Sequence, residues 1–233
     1  KRSIVVDLKK AEGQAILRSL LKDTDVLLHS LRTPAANKLG LDYETLKQIN
    51  PSIVYCHVTG YSDEGAYAGR PAYDDIGQAA SGLAQLQTAV AGQPRFMPSI
   101  FADKIGALHA SIGMLAAIAH RTATGQGQQV EVPMFESLVA FNMAEHQWGF
   151  CFDPPIGPMG YQPVSTAARR PYKTKDGYLE LLPYSDANWR SLFELAGEPQ
   201  IMDDPRFSTF AARQKHFREV WDEIERQAAL KTN

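Results

Sequence analysis

Glu136 is the residue whose setting most suggests chemistry. It stands in GQGQQVEVPMFESLVAF, Gly125 to Phe141, where a glycine-rich turn leads into a short strand pattern at Gln129–Val132. Pro133 and Met134 break that pattern, and an apolar helical pattern follows. A helix N-terminus carries backbone N–H groups with no intrahelical partner, which favour an anion and can stabilise charge developing on a substrate. The plainer reading stands beside this one: an acid in a first helical turn can serve the dipole alone. Other polar residues invite similar weighing. Arg32 and Lys38 in LRTPAANKLGL could pair with phosphates or face water, and Arg70 before Pro71 could bind an anion or make a structural pair. His109 and His120 have no acidic neighbour at metal-site spacing, so no metal site is expected. Cys56 and Cys151 form neither a disulfide framework nor a ligand cluster, and each reads as a packed small hydrophobe. Ser-x-x-Lys, GxSxG and HExxH patterns are absent, which leaves Ser111 and Ser137 as plain helical serines.

The elements that must position these residues follow from periodicity. Ser3–Leu8, Asp25–His29 and Ile53–Val58 read as strands, and Ala11–Leu21 and Tyr43–Ile49 read as the helices between them. Strands apolar along their length, alternating with helices, predict a parallel sheet covered on both faces. Right-handed crossovers would place Leu31–Pro34 and Gly60–Ser62 at the carboxyl edge, where ligands bind in such sheets. No GxGxxG follows the first strand, which removes support for a nicotinamide-nucleotide site. Asp74-Asp75 starts a helix, and Phe101–His120 is a strongly apolar one that Asp103 can cap. The Pro- and Gly-rich run from Cys151 to Pro163 reads as a linker or lining loop. Beyond it, Lys175-Asp176-Gly177 between two strand patterns signals a hairpin, then come a helix at Ala187–Ala196 and a final one at Phe210–Ala229. The expected class is α/β: a large domain over 1–165 with a parallel, Rossmann-like sheet, and a smaller α+β domain over 166–233.

The 233 residues are 44% hydrophobic and 21% charged, with a formal net charge of -2. That is an ordinary globular composition, and the near-neutral charge argues against a nucleic-acid surface. No apolar run reaches the roughly 18 residues expected of a membrane span. The few cysteines suit a reducing cytoplasm. Both ends of the chain read as cut from something longer.

Taken together, several stretches resemble the class III CoA-transferases, the family that includes formyl-CoA transferase, carnitine CoA-transferase and the α-methylacyl-CoA racemases. The matching stretches are KRSIVVDLKK, DVLLHSLRTPAANKLGLDYETLKQINPSIVYCHVTGY, GAYAGRPAYDDIGQAASGL, TGQGQQVEVPMFESL and RRPYKTKDGYLELLP. The resemblance implies transfer of CoA from an acyl-CoA thioester to a free carboxylic acid. The carrier would be a covalent enzyme-carboxylate intermediate. Coenzyme A would enter as a thioester substrate, with no permanently bound cofactor. It implies Glu136 as nucleophile, in the place where the family usually has Asp. It implies CoA contacts along Ser30, Leu31, Arg32, Thr33, Pro34 and Lys38, with Leu31 against adenine and Lys38 toward phosphate, and a further contact at Lys104. Here Thr33 and Pro34 replace the family's Pro and Gly. The racemase branch relies on a His where this chain has Asp74, so racemase or epimerase chemistry is the alternative, alongside a non-catalytic CoA-binding homologue. The resemblance also implies a cytoplasmic, interlocked homodimer with acyl-CoA and carboxylic acid as its partners, no nucleic acid and no membrane. By the same comparison this chain lacks the first strand-helix region and the C-terminal return to the large domain.

Overall fold

The computed structural model describes residues 1–161, 163–167 and 169–233. The chain divides into two compact units, Lys1–Thr88 with Gln93–Gly160, and Ala89–Gly92 with Tyr161–Asn233. The first is built on a three-stranded parallel sheet. Its helices and strands run α1 (Ala11–Leu21), β1 (Val26–His29), α2 (Thr33–Lys38), α3 (Tyr43–Ile49), β2 (Val54–Thr59), α4 (Asp74–Ala80), α5 (Leu83–Leu86), α6 (Thr88–Ala91), α7 (Phe101–Thr124), β3 (Gln128–Pro133) and α8 (Met134–His146), with α6 entering the second unit. The strands lie in the order β1-β2-β3 with β2 central, as βαβ crossovers require. His29 pairs with His57 and Thr59 with Pro133.

Period-two alternation along β2 supplies both cores. Tyr55 faces Leu21, Leu41 and Leu46 under α1 and α3, while Cys56 faces Ala110 of α7 and Val132 of β3. Burial pushes the Cys56 thiol pKa up, as befits a packed hydrophobe. Gly127 fixes how closely β3 approaches β2. A Cβ there would sit 2.0 Å from the Ile53 carbonyl oxygen, so only glycine fits. Asp42 caps α3, its carboxylate accepting the Thr45 N–H at 2.9 Å and hydroxyl at 2.8 Å.

Three expectations for the first unit need correction. Ser3–Leu8 is not a strand. Ile4 and Val5 are exposed, no sheet edge takes their hydrogen bonds, and the segment instead runs close against Gly13 at the start of α1. The α7 start is not capped by Asp103; the Asp74 carboxylate of α4 accepts the Asp103 N–H at 3.2 Å. Finally, α7 is long and apolar enough to cross a bilayer by length and composition. Ala110 of this helix packs on the sheet beside Cys56 and Val132, Ala102 packs with Leu83 of α5 and Leu138 of α8, Ala117 is buried, and Leu108, Ile112 and Leu115 are exposed.

The second unit opens with an antiparallel pair, β4 (Tyr172–Lys173) and β5 (Tyr178–Leu179), around the Asp176-Gly177 turn. The Thr174 hydroxyl accepts the Gly177 N–H at 2.9 Å and closes that turn. Helix α9 (Asp186–Ala196) starts at a Ser185–Asn188 capping box and ends at Gly197, whose φ is 82°. The expected long final helix is two, α10 (Phe210–Lys215) and α11 (Phe217–Ala229), because His216 leaves the helical region at φ -106°, ψ 36°. The bend lets both pieces face one core. Val220 and Ile224 of α11 pack with Tyr172, Trp189, Phe193 and Phe207. From α10, the buried Arg213 pairs with Asp186, donates to the Phe207 carbonyl at 2.7 Å and lies over Trp189.

Candidate functional site

The carboxyl ends of β1 and β2 open onto a cavity of about 860 Å³ in the first unit. The loop after β1 contributes Ser30, Leu31, Arg32 and Thr33, the loop after β2 contributes Gly60, Tyr61, Asp63 and Arg70, and Met134 stands where β3 passes into α8. This is the edge that parallel topology assigns to ligands. Of the residues implicated by the sequence, Leu31 and Arg32 line the cavity. Lys38 lies in the last turn of α2, exposed and outside the lining. Lys104 is also outside it, its ammonium donating to the Ser99 hydroxyl at 2.8 Å.

Glu136 does not line the cavity; its carboxylate meets the backbone of Ser62, whose chain neighbours Tyr61 and Asp63 do. Its helix starts at Pro133 with no side-chain cap, and the Phe135 N–H is taken by the Gly60 carbonyl at 3.1 Å. One Glu136 oxygen, Oε1, accepts the Ser62 N–H at 3.1 Å. The other, Oε2, is buried and has no hydrogen-bond partner among the described residues. A buried carboxylate oxygen left unpaired costs about 1–3 kcal/mol or more. The loop that touches it is anchored by rings. Tyr61 and Tyr67 pack against each other and against Phe135, with centroids 5.3–6.4 Å apart, and the Arg70 guanidinium lies 4.8 Å over Tyr67. Glu131 holds the same loop by accepting the Asp63 N–H at 2.8 Å. Asp63 in turn accepts the Thr33 hydroxyl at 2.7 Å, tying the two cavity loops together. Arg32 and Arg70 both line the cavity and have no acidic partner within salt-bridge distance among the described residues, which suits them to an anion.

A group the sequence did not single out supports the first loop. His29 and His57, register partners on β1 and β2, stack with ring centroids 4.4 Å apart. His29 Nδ1 accepts the Leu31 N–H at 3.2 Å, and its Nε2 meets the Tyr55 hydroxyl at 2.7 Å. His57 Nε2 meets the Leu31 carbonyl at 2.7 Å. Burial, then the neighbouring His57, lowers the His29 pKa to about 4. Burial, then Asp42 and Asp63, pushes the Tyr55 phenol up to about 12. Both groups are therefore neutral at pH 7. The signal was present in the sequence: each histidine closes or nearly closes a strand pattern, in DVLLH and IVYCHV.

Asp74, which the resemblance sets against the racemases' histidine, is engaged at both oxygens. Besides the Asp103 N–H it accepts the Gln78 amide at 2.6 Å. Among the described residues, no group of three or more His, Cys, Asp or Glu side chains is placed to hold a metal ion.

Known proteins share this chain's sequence and fold. The chain is 33% identical over 222 residues to the succinate–glutarate CoA-transferase of Agrobacterium fabrum, covering 94% of this chain and 55% of that protein. It is 27% identical over 248 residues to the formyl-CoA:oxalate CoA-transferase of Escherichia coli, covering 97% of this chain and 60% of that one. Among solved structures, Rv3272 of Mycobacterium tuberculosis matches with a TM-score of 0.85 at 27% identity, over 100% of this chain and 62% of its own. A CaiB/BaiF family protein from Brucella suis matches with a TM-score of 0.80 at 29% identity, over 100% and 61%. The chain thus spans less than two thirds of the length of each of these relatives. With the family model matching residues 1–233 throughout, the chain belongs to CoA-transferase family III.

Proposed function

We propose that the protein to which this chain belongs transfers CoA from an acyl-CoA thioester to a free carboxylic acid, with Glu136 as the nucleophile. The observation that carries the reading is the Glu136 carboxylate. It sits in the first turn of α8, held at one oxygen by Ser62 and left unpaired at the other. In the proposed reaction Glu136 attacks the acyl carbonyl carbon, the C–S bond breaks, and CoA leaves as thiolate with an acyl-glutamyl anhydride behind it. The thiolate attacks the glutamyl carbonyl and expels the first acid, giving a glutamyl-CoA thioester. The acceptor carboxylate displaces CoA to form a second anhydride, and CoA thiolate then takes the new acyl group and frees Glu136. The α8 N-terminus favours the carboxylate and each oxyanion that develops on it. Leu31, Arg32 and Arg70 would hold CoA or the acid at the cavity, with Lys38 and Lys104 as further contacts from outside its lining. The proposed assembly is a homodimer, which sedimentation of the longer protein tests.

Hydroxylamine trapping tests the chemistry. Incubation with an acyl-CoA and hydroxylamine should convert Glu136 to a γ-glutamyl hydroxamate, visible by peptide mass. CoA binding with Glu136 unmodified would instead establish a non-catalytic CoA-binding protein.

A further inference from the structure

We infer that His29 and His57 are positioning residues that clamp Leu31 and so preset the ligand loop at the mouth of the cavity. The inference rests on the reading of that loop as the CoA site, and it adds residues which neither the sequence motif nor the cavity lining assigns as a pair. Leu31 is the link between β1 and α2, and its backbone has no neighbouring strand to bond. Both of its polar groups go to imidazoles instead, the N–H to His29 Nδ1 and the carbonyl to His57 Nε2. The partners dictate the tautomers. The Leu31 carbonyl can only accept, so His57 carries its proton on Nε2. The Leu31 N–H can only donate, so His29 has a bare Nδ1 and gives its Nε2 proton to Tyr55. Parallel register puts the two rings one above the other, which sets their spacing to match one residue's N–H and C=O. Arg32, next in the chain, inherits that orientation as the N-cap of α2.

The device is sensitive to protonation. A proton on His29 Nδ1 would set two donors against each other and release Leu31. The groups facing the pair are His57 itself, Tyr55, the Tyr43 ring beside Tyr55, and the carboxylates Asp42 and Asp63 that act on Tyr55. Burial and the stacked neighbour hold His29 neutral until pH falls well below 6.

The test combines amide exchange at Leu31 with CoA affinity by calorimetry, across pH 3 to 8. The variants are His29→Leu and His57→Leu, with His29→Asn and His57→Gln as conservative partners whose amides reproduce the Nδ1 acceptor and the Nε2 donor. The leucine variants should speed Leu31 exchange and weaken CoA binding by about tenfold each, the size of one lost hydrogen bond. The amide variants should restore most of both. Wild-type Leu31 protection should fall as pH drops through about 4, and His29→Asn should flatten that fall. Unchanged Leu31 exchange in both leucine variants overturns the clamp, as do amide variants no better than leucine. Absence of CoA binding by the wild-type protein overturns the CoA reading alone, and the exchange data then decide the clamp.

Discussion

Shortening Glu136 by one methylene is the sharpest test of how this site works. In Glu136→Asp the carboxylate withdraws by about 1.5 Å, one C–C bond. The Ser62 N–H, now 3.1 Å from Oε1, would then lie beyond hydrogen-bond range unless α8 shifts. Gly65 is the other near neighbour, and even a Cβ added there would fall 3.4 Å from Oε1, so nothing bulky replaces the lost contact. A hydrogen bond to a charged acceptor contributes about 1.5–3 kcal/mol, and losing it removes one of the anchors of the Ser62–Gly65 loop. A nucleophile misplaced by about 1 Å costs about a hundredfold in rate, so kcat for CoA transfer should fall by roughly that factor. Glu136→Gln should abolish both transfer and the covalent adduct. The assay is steady-state transfer between an acyl-CoA and a carboxylic acid, read by liquid chromatography, with thermal melting to separate catalysis from stability. Transfer by Glu136→Gln at the wild-type rate refutes the nucleophile assignment. Transfer by Glu136→Asp at the wild-type rate refutes the positional argument.

Further outcomes follow from individual contacts. Gly127→Ala drives a methyl to within 2.0 Å of the Ile53 carbonyl, so it should cost about 3 kcal/mol or more and lower Tm by roughly 6–12 °C; an unchanged melt would refute the close approach of β3. His29 has a folded pKa near 4 against an ordinary 6.5, so the folded chain binds fewer protons than the unfolded one between those values. Stability should therefore fall as pH drops from about 6.5 toward 4 and level off below, and His29→Asn should remove that part of the slope in a pH series of melts. Asp42 has a depressed pKa, chiefly from the Thr45 N–H, so its cap should stabilise α3 above the ordinary Asp range and be lost in stronger acid; Asp42→Ala should cost about 1 kcal/mol at pH 7 by urea titration. Arg213→Met leaves the Phe207 carbonyl without its donor and should cost about 1–3 kcal/mol, read by tryptophan fluorescence in urea, whereas Asp186→Asn, exposed on its side of the pair, should cost much less.

Helices and strands with strong local signals were legible in the sequence. Tyr43–Ile49 could be read from its pattern alone, and the Asp176-Gly177 hairpin from its turn residues. What was not legible depended on partners distant in the chain. Ser3–Leu8 has the composition of a strand, but composition does not supply an edge to pair with. The α7 start looked self-capped by Asp103 until the fold brought Asp74 to it from 29 residues away. Glu136 could be found from its place at a strand-to-helix junction, whereas its grip on Ser62 lies 74 residues away in sequence. The His29–His57 pair was missed because each histidine alone is ordinary, and only parallel register makes them a unit.

The double engagement of Asp74 bears on how this scaffold could change its chemistry. One oxygen ties down the first turn of α7, and the other anchors Gln78, whose own carbonyl oxygen accepts the Met97 N–H at 2.8 Å. An imidazole at position 74 would supply at most one acceptor to those two donors. A histidine introduced there would arrive with a loosened helix start unless Gln78 and Asp103 changed with it.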